Sequence, residues 1–191
     1  MIRHLGTSLR FTVLSVVLLG LIYPLVMTGI AQALFPWQAN GSMVTINGKL
    51  VGSAIIGQRW TNPRYFHGRP SAAGKGYDPT STGGTNYGPT SKKLIDATRA
   101  TIAALEKENP NAGGPPPMDL ITSSGSGIDP DITPEAAYWE AARVAKARHM
   151  STEEVDALVA RHLRGRTFGF LGEPRVNVLE LNLALDGLKP Q

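Results

Sequence analysis

The sequence holds 191 residues with 19 Lys and Arg against 15 Asp and Glu, a formal charge of +4, and 21 glycines, 14 prolines and no cysteine. The missing cysteines exclude disulfides, thiolate nucleophiles and cysteine-bound metals. Without Arg3 and Arg10, the remaining chain carries seventeen bases against fifteen acids, too mild a surplus to argue for nucleic acid.

No charged side chain occurs between Arg10 and Lys49, and Phe11 to Ala33 is an apolar run with only small or weakly polar interruptions. As a helix it would reach roughly 35 Å, against a hydrocarbon core of about 30 Å. Its Phe, Val, Leu and Ile residues favour insertion by roughly 4–7 kcal/mol in sum, set against Thr12, Ser15, Pro24 and Thr28. Arg3 and Arg10 ahead of the run, with no acid beside them, predict a cytoplasmic N-terminus and an outward-facing remainder. The expected division is residues 1–10 cytoplasmic, 11–34 the membrane anchor and 35–191 an extracytoplasmic domain. Pro24 is expected to kink the span, Gly20 and Gly29 to admit a neighbouring helix, and Trp37 to sit at the outer interface. A cleaved signal peptide is the competing reading, because Ala31-Gln32-Ala33 has the form of a cleavage site. The apolar run exceeds the usual length of such a segment.

Met43 to Ile46 and Lys49 to Val51 flank Asn47-Gly48, a hairpin signal in which Ile46 faces Lys49 and Val44 faces Val51. The second strand is expected to run on to Ile56. Residues 57–90 lack helical or strand period yet hold Trp60, Tyr65, Phe66, Tyr77 and Tyr87. Disordered segments are poor in aromatics, so this is read as a long loop pinned onto the domain or a partner. Lys92 to Glu108 is a helix with a stripe of Leu94, Ile95, Thr98, Ile102 and Leu105. Asn109-Pro110 stops it, a Gly/Pro connector follows over 111–117, and a second glycine-serine loop covers Thr122 to Asp131. Thr133-Pro134 opens a helix to about Arg148. Ser151 to Glu154 is a capping box for a further helix, ending near Gly165, with Met150 stapled to Val155. Val176 to Leu188 fits either a strand or a helix, and Asn177 ahead of Glu180 as a cap favours the helix.

Chemical signatures are sparse. Gly74-Lys75-Gly76 fails the phosphate-loop pattern, since Arg69 stands at the first glycine position and Gly76 where the hydroxyl residue belongs. No G-x-S-x-G surrounds Ser53, Ser71, Ser124 or Ser126. His67, His149 and His162 form no metal-ligand spacing, and Asp129 reads as closing an Asx turn before Pro130. No catalytic or metal residue is assigned, and no cofactor of the chain's own is expected.

Several stretches of unusual composition nevertheless follow one another in fixed order behind the anchor. They are 52–58 (GSAIIGQ), 65–72 (YFHGRPSA), 85–90 (TNYGPT), 122–130 (TSSGSGIDP) and 176–186 (VNVLELNLALD). Together they resemble the KdpC family, the accessory subunits of the potassium-transporting Kdp ATPase, over nearly the whole chain. Two departures stand out. Asp131 follows the Asp-Pro where family members often have His, and Ser91 replaces a frequent Asn.

The resemblance implies an accessory, non-enzymatic subunit of a P-type potassium uptake complex in the bacterial inner membrane. Its partners would be the channel-like KdpA protein, the KdpB ATPase that uses ATP, and the small single-span KdpF protein. Family proposals make it either a catalytic chaperone that raises the ATP affinity of the ATPase partner or a cap on the outer mouth of the channel-like one. The expected fold is α+β: one transmembrane helix, then a domain with a hairpin, about three helices and long ordered loops. Candidate interface residues are Gln58, Tyr65, Phe66, Arg69, Ser71, Asn86, Tyr87 and Asp129. In the opposing reading Gly68, Pro70, Gly88 and Pro89 only set turns, and the aromatics fill the domain's own core. A membrane-anchored hydrolase and an outer solute-binding protein are the alternatives from other classes.

Overall fold

A computed structural model describes residues 2–188; Met1 and residues 189–191, the ends of the expected cytoplasmic and outer segments, lie outside the described residues. The chain forms two compact units, Met1–Met43 and Val44–Gln191.

The first unit is helical from α1 (Ile2–Ser15) through a π-helical segment (Val16–Ile22) into α2 (Tyr23–Leu34). The stretch His4–Leu34 is long and apolar enough to cross a bilayer. The helix starts at Ile2, ahead of the apolar run that opens at Phe11. Pro24 has no N–H, and its ring would meet the carbonyl four residues back in a regular α-helix. The helix answers by widening. Tyr23 N–H reaches back five residues to the Leu18 carbonyl, a π-type bond, and the proline falls in the first turn of α2, where a missing donor is tolerated. Both Gly20 and Gly29 open onto space: a Cβ on Gly29 would meet nothing within 4 Å, and one on Gly20 only Val16 of its own helix at 3.9 Å. Pro36 opens the short α3 (Pro36–Ala39), and the Trp37 indole N–H donates to the Met43 carbonyl at 3.0 Å.

The second unit starts with the hairpin β1 (Met43–Ile46) and β2 (Lys49–Ser53). Asn47 and Gly48 both take positive φ, 50° and 76°, as a type I′ turn requires. Strand β2 stops at Ser53 rather than Ile56, because the Ser53 carbonyl is taken by a turn from Ile56 N–H at 3.3 Å. A long irregular segment then leads to α4 (Lys92–Glu108), capped at Asn109. The sequence pattern did not reveal α5 (Met118–Ile121) or β3 (Asp131–Ile132). Helices α6 (Pro134–Arg148) and α7 (Thr152–His162) follow. The Thr133 hydroxyl caps α6 through Ala136 N–H at 3.1 Å. His149 ends it at φ 58°, with Met150 N–H bonded to Ala145 and His149 N–H to Lys146, a Schellman arrangement. The reciprocal Ser151–Glu154 capping box opens α7.

Strands β4 (Leu163–Arg164) and β5 (Arg175–Asn177) complete an antiparallel sheet of order β3-β5-β4, with Ile132 and Leu163 flanking Val176 on opposite sides. Such short strands carry no readable alternation. The chain then enters α8 (Val178–Leu185), capped by Asn177 through Glu180 N–H. Two apolar clusters explain why this segment read both ways. Val178 and Leu181 join the main core with Phe66, Ile132, Ala141, Val144, Val155 and Val176. Leu179 and Leu183 join a second core with Val44, Ile46 and Ala54 beneath the hairpin. A helix packed on two sides loses the single apolar stripe by which helices are recognised. The fold is α+β.

Candidate interaction surface

The segment from Ala54 to Ser91 has no helix or strand, so its backbone polar groups need partners elsewhere. The rest of the domain supplies them. Gln58 Nε2 donates to the Val51 carbonyl of β2 at 2.9 Å, and Gly57 N–H donates to Ile128 at 2.8 Å. Buried Asn182 on α8 clasps the backbone of one loop residue from both sides: its Oδ1 accepts from Phe66 N–H at 2.8 Å and its Nδ2 donates to the Phe66 carbonyl at 3.0 Å.

Helix α6 holds the same stretch by charge. Glu140 Oε2 accepts from His67 N–H at 2.9 Å, and Arg143 donates to the carbonyls of Pro63 at 2.7 Å and Tyr65 at 3.0 Å. Arg143 Nη2 also meets Glu140 Oε1 at 2.6 Å. Full burial pushes the Glu140 carboxyl above its ordinary range, while Arg143 and His67 oppose the shift. A buried carboxylate persists only when so paired.

Tyr65 donates its hydroxyl to Asp186 at 2.8 Å, stacks obliquely on Trp60 at 4.9 Å, and lies under the Arg148 guanidinium at 4.8 Å. The Asp186 hydrogen bond comes first among the causes that raise its pKa, followed by burial.

Further along, the two glycine-rich loops are laced together. Arg69 pairs with Asp129 at 3.1 Å, and Asp129 Oδ1 accepts from Asp131 N–H at 3.1 Å, closing the expected Asx turn. The Ser71 hydroxyl donates to the Gly127 carbonyl and accepts from Tyr77 N–H at 2.7 Å and Ala73 N–H at 3.2 Å. That hydroxyl is a turn brace, with no capacity left for nucleophilic work. Tyr77 donates to the Arg69 carbonyl, and burial pushes its phenol up to about 12. Among the described residues, no group of three or more His, Asp or Glu converges on a metal position.

Six of the eight candidate residues are therefore bound to their own domain. Phe66 is the plain correction: at 0% exposure it is a core residue and offers no surface. Gln58, Tyr65, Arg69, Ser71 and Asp129 act first as ties between loop and scaffold. Asn86 and Tyr87 differ. Residues 85–90 are exposed throughout, Asn86 sits at φ 52° and Tyr87 is 44% exposed. Neither side chain bonds to a described residue.

Sequence reasoning missed Glu140, Arg143 and Asn182. A signal existed for two of them. Glu140 falls three or four residues from Ala136, Ala137 and Val144, on the buried face of α6, and Asn182 lies among the leucines of α8. A polar residue on an apolar stripe announces a buried partner. That the partner would be loop backbone was not readable.

The profile of a family described as "KdpC: K+-transporting ATPase, c chain" matches residues 5–187. The chain belongs to this family. Curated relatives, each named potassium-transporting ATPase KdpC subunit, agree with it. The Koribacter versatilis protein is 55% identical, over 98% of this chain and 96% of its own length. That of Myxococcus xanthus is 56% identical, over 94% and 86% respectively. In Acidobacterium capsulatum the relative is 52% identical, over 96% and 98%.

Proposed function

We propose that this chain is the anchored, non-enzymatic KdpC component of a potassium-transporting ATPase, with its second unit outside the cytoplasm as a cap on a channel-like partner. The observation that carries this is the contrast within one loop: residues 57–77 are tied to the domain, while the tip at 85–90 is exposed, and its Asn86 and Tyr87 side chains bond to none of the described residues. A loop held rigid at its base loses little entropy when its tip docks, and tyrosine is favoured at such contacts. Arg3 and Arg10 ahead of the span support the outward placement. In that placement the domain has no access to cytosolic ATP, which belongs to the ATPase partner. An effect on nucleotide affinity would reach that partner through the channel-like one.

Co-purification in mild detergent tests the assembly. The chain is expected to bring down much larger membrane proteins, and recovery as a lone monomer refutes the proposal. Tyr87→Ala and Asn86→Ala should reduce recovered complex or weaken potassium affinity, whereas Tyr138→Ala, at an exposed site on α6, should not. Intact assembly and unchanged affinity in both loop variants would remove the tip from the interface. Protease added to intact spheroplasts should shave a C-terminal tag; protection until lysis overturns the orientation.

A further inference from the structure

Among the described residues of the second unit, the hairpin between β4 and β5 holds the most exposed large apolar side chains. Residues 163–173 are exposed without interruption, and they include Phe168 at 84%, Phe170 at 69% and Leu171 at 49%. Two aromatics and a leucine at one tip would be unfavourable in water for a chain that had no use for them. The tip is also ordered rather than frayed. Thr167 and Leu171 exchange both backbone hydrogen bonds at 2.9 Å, and Gly169 N–H closes on Arg166 at 3.1 Å. Phe168 is held at φ 54°, a left-handed conformation that a bulky residue adopts only when its surroundings impose it. Gly169 and Gly172, at φ 81° and 75°, let the backbone turn back twice around the aromatics.

Basic residues surround this tip. Four arginines, Arg161, Arg164, Arg166 and Arg175, stand against one acid, Glu173, between 161 and 175. Arg166 pairs with Glu173 at 2.7 Å, Arg164 with Glu180 on α8, and Arg175 with Asp131. Three of the four are thus paired with carboxylates and the surplus is one charge, but the Arg164 and Arg166 side chains stay nearly half exposed. An apolar tip with a backbone bonded within itself and a cationic collar is what a lipid interface accepts: rings enter the headgroup boundary while guanidinium groups meet lipid phosphates.

We propose that the 165–173 hairpin is a second membrane contact, inserting Phe168, Phe170 and Leu171 into the interface of an anionic bilayer with Arg164 and Arg166 on the phosphates. It would give the domain two points of attachment and so fix its tilt over the membrane. The inference rests on the span alone and does not depend on the cap reading or on which side the domain occupies.

The absence of cysteine makes site-directed spin labelling direct. The full chain, reconstituted in mixed phosphatidylcholine–phosphatidylglycerol vesicles, is labelled with a nitroxide at Phe170→Cys, or at Thr82→Cys in the exposed part of the long loop. Collision with oxygen relative to a water-soluble nickel chelate reports depth. The expected result is a lipid-like ratio at position 170 and a water-like ratio at 82. The 170 signal should shift towards water in phosphatidylcholine alone or with Arg166→Glu. A second label at Leu171→Cys should lose its depth when Phe168→Ser is added, which checks the tip without altering any buried residue. A water-like ratio at 170 overturns the proposal. Shielding from both quenchers overturns it in favour of a protein contact, and lipid-like ratios at both sites show unspecific adhesion and overturn it too.

Discussion

Asn182→Leu removes the clasp on Phe66 while keeping side-chain volume close to the original. Asn182 is fully buried, as is Phe66, so no water replaces the two lost bonds of 2.8 and 3.0 Å. The Phe66 N–H and carbonyl would both stay buried without partners, each costing about 1–3 kcal/mol. The expected destabilisation is about 2–6 kcal/mol, a large share of the roughly 5–15 kcal/mol available to a domain. The loss should be local first. Arg143 and Glu140 still hold residues 63–67, so the loop should open around Phe66 before the helices melt. Urea unfolding of the full chain in mild detergent, followed by tryptophan fluorescence, reads the first quantity. Limited trypsin digestion at Arg59 and Arg64 reads the second, and cutting there should accelerate more than at Arg148 or Arg161. A loss under about 1 kcal/mol with unchanged cutting at Arg64 would refute the view that α8 holds the loop through this one amide.

The Tyr77 phenol titrates near 12 in the folded chain against an ordinary 10.0. Its contribution to stability is therefore complete below about pH 10 and is lost as pH rises towards 12. Tyr77→Phe should remove the latest step of the phenolate absorbance titration; an unchanged titration would contradict the burial. Ser151→Ala removes the α7 cap and should cost about 1 kcal/mol in thermal unfolding, with no change in loop proteolysis. Gly57→Ala would bring a Cβ to 2.3 Å from the Asp129 carbonyl, which is backbone and cannot swing aside. It should break the Gly57–Ile128 bond and expose both loops to protease, whereas Gly83→Ala, with open space around it, should leave both loops protected.

Local physics made much of this protein legible. The charge-free stretch after Arg10 gave the span, Asn47-Gly48 the hairpin, and Thr133-Pro134 and Ser151 to Glu154 two helix starts, because each depends on residues within a few positions of one another. The aromatics of 57–90 marked that segment as ordered for the same kind of reason: five large rings have to be buried or bound somewhere. Their individual fates were not legible. Phe66 and Tyr87 look alike in sequence, yet one lies inside the core and the other at the exposed tip. The difference is set by Asn182, Glu140 and Arg143, more than seventy residues away from Phe66.

Sequence alone therefore determined the membrane anchor, the helices with local caps, the lack of cysteine chemistry and, through the ordered stretches between 52 and 186, the family resemblance. Tertiary structure decided which loop residues are ties and which are surface, how α8 serves two cores, and where the two- and three-residue strands pair. Those outcomes depend on buried polar groups finding partners across long sequence separations, and a donor's need for a partner does not say which carbonyl will satisfy it.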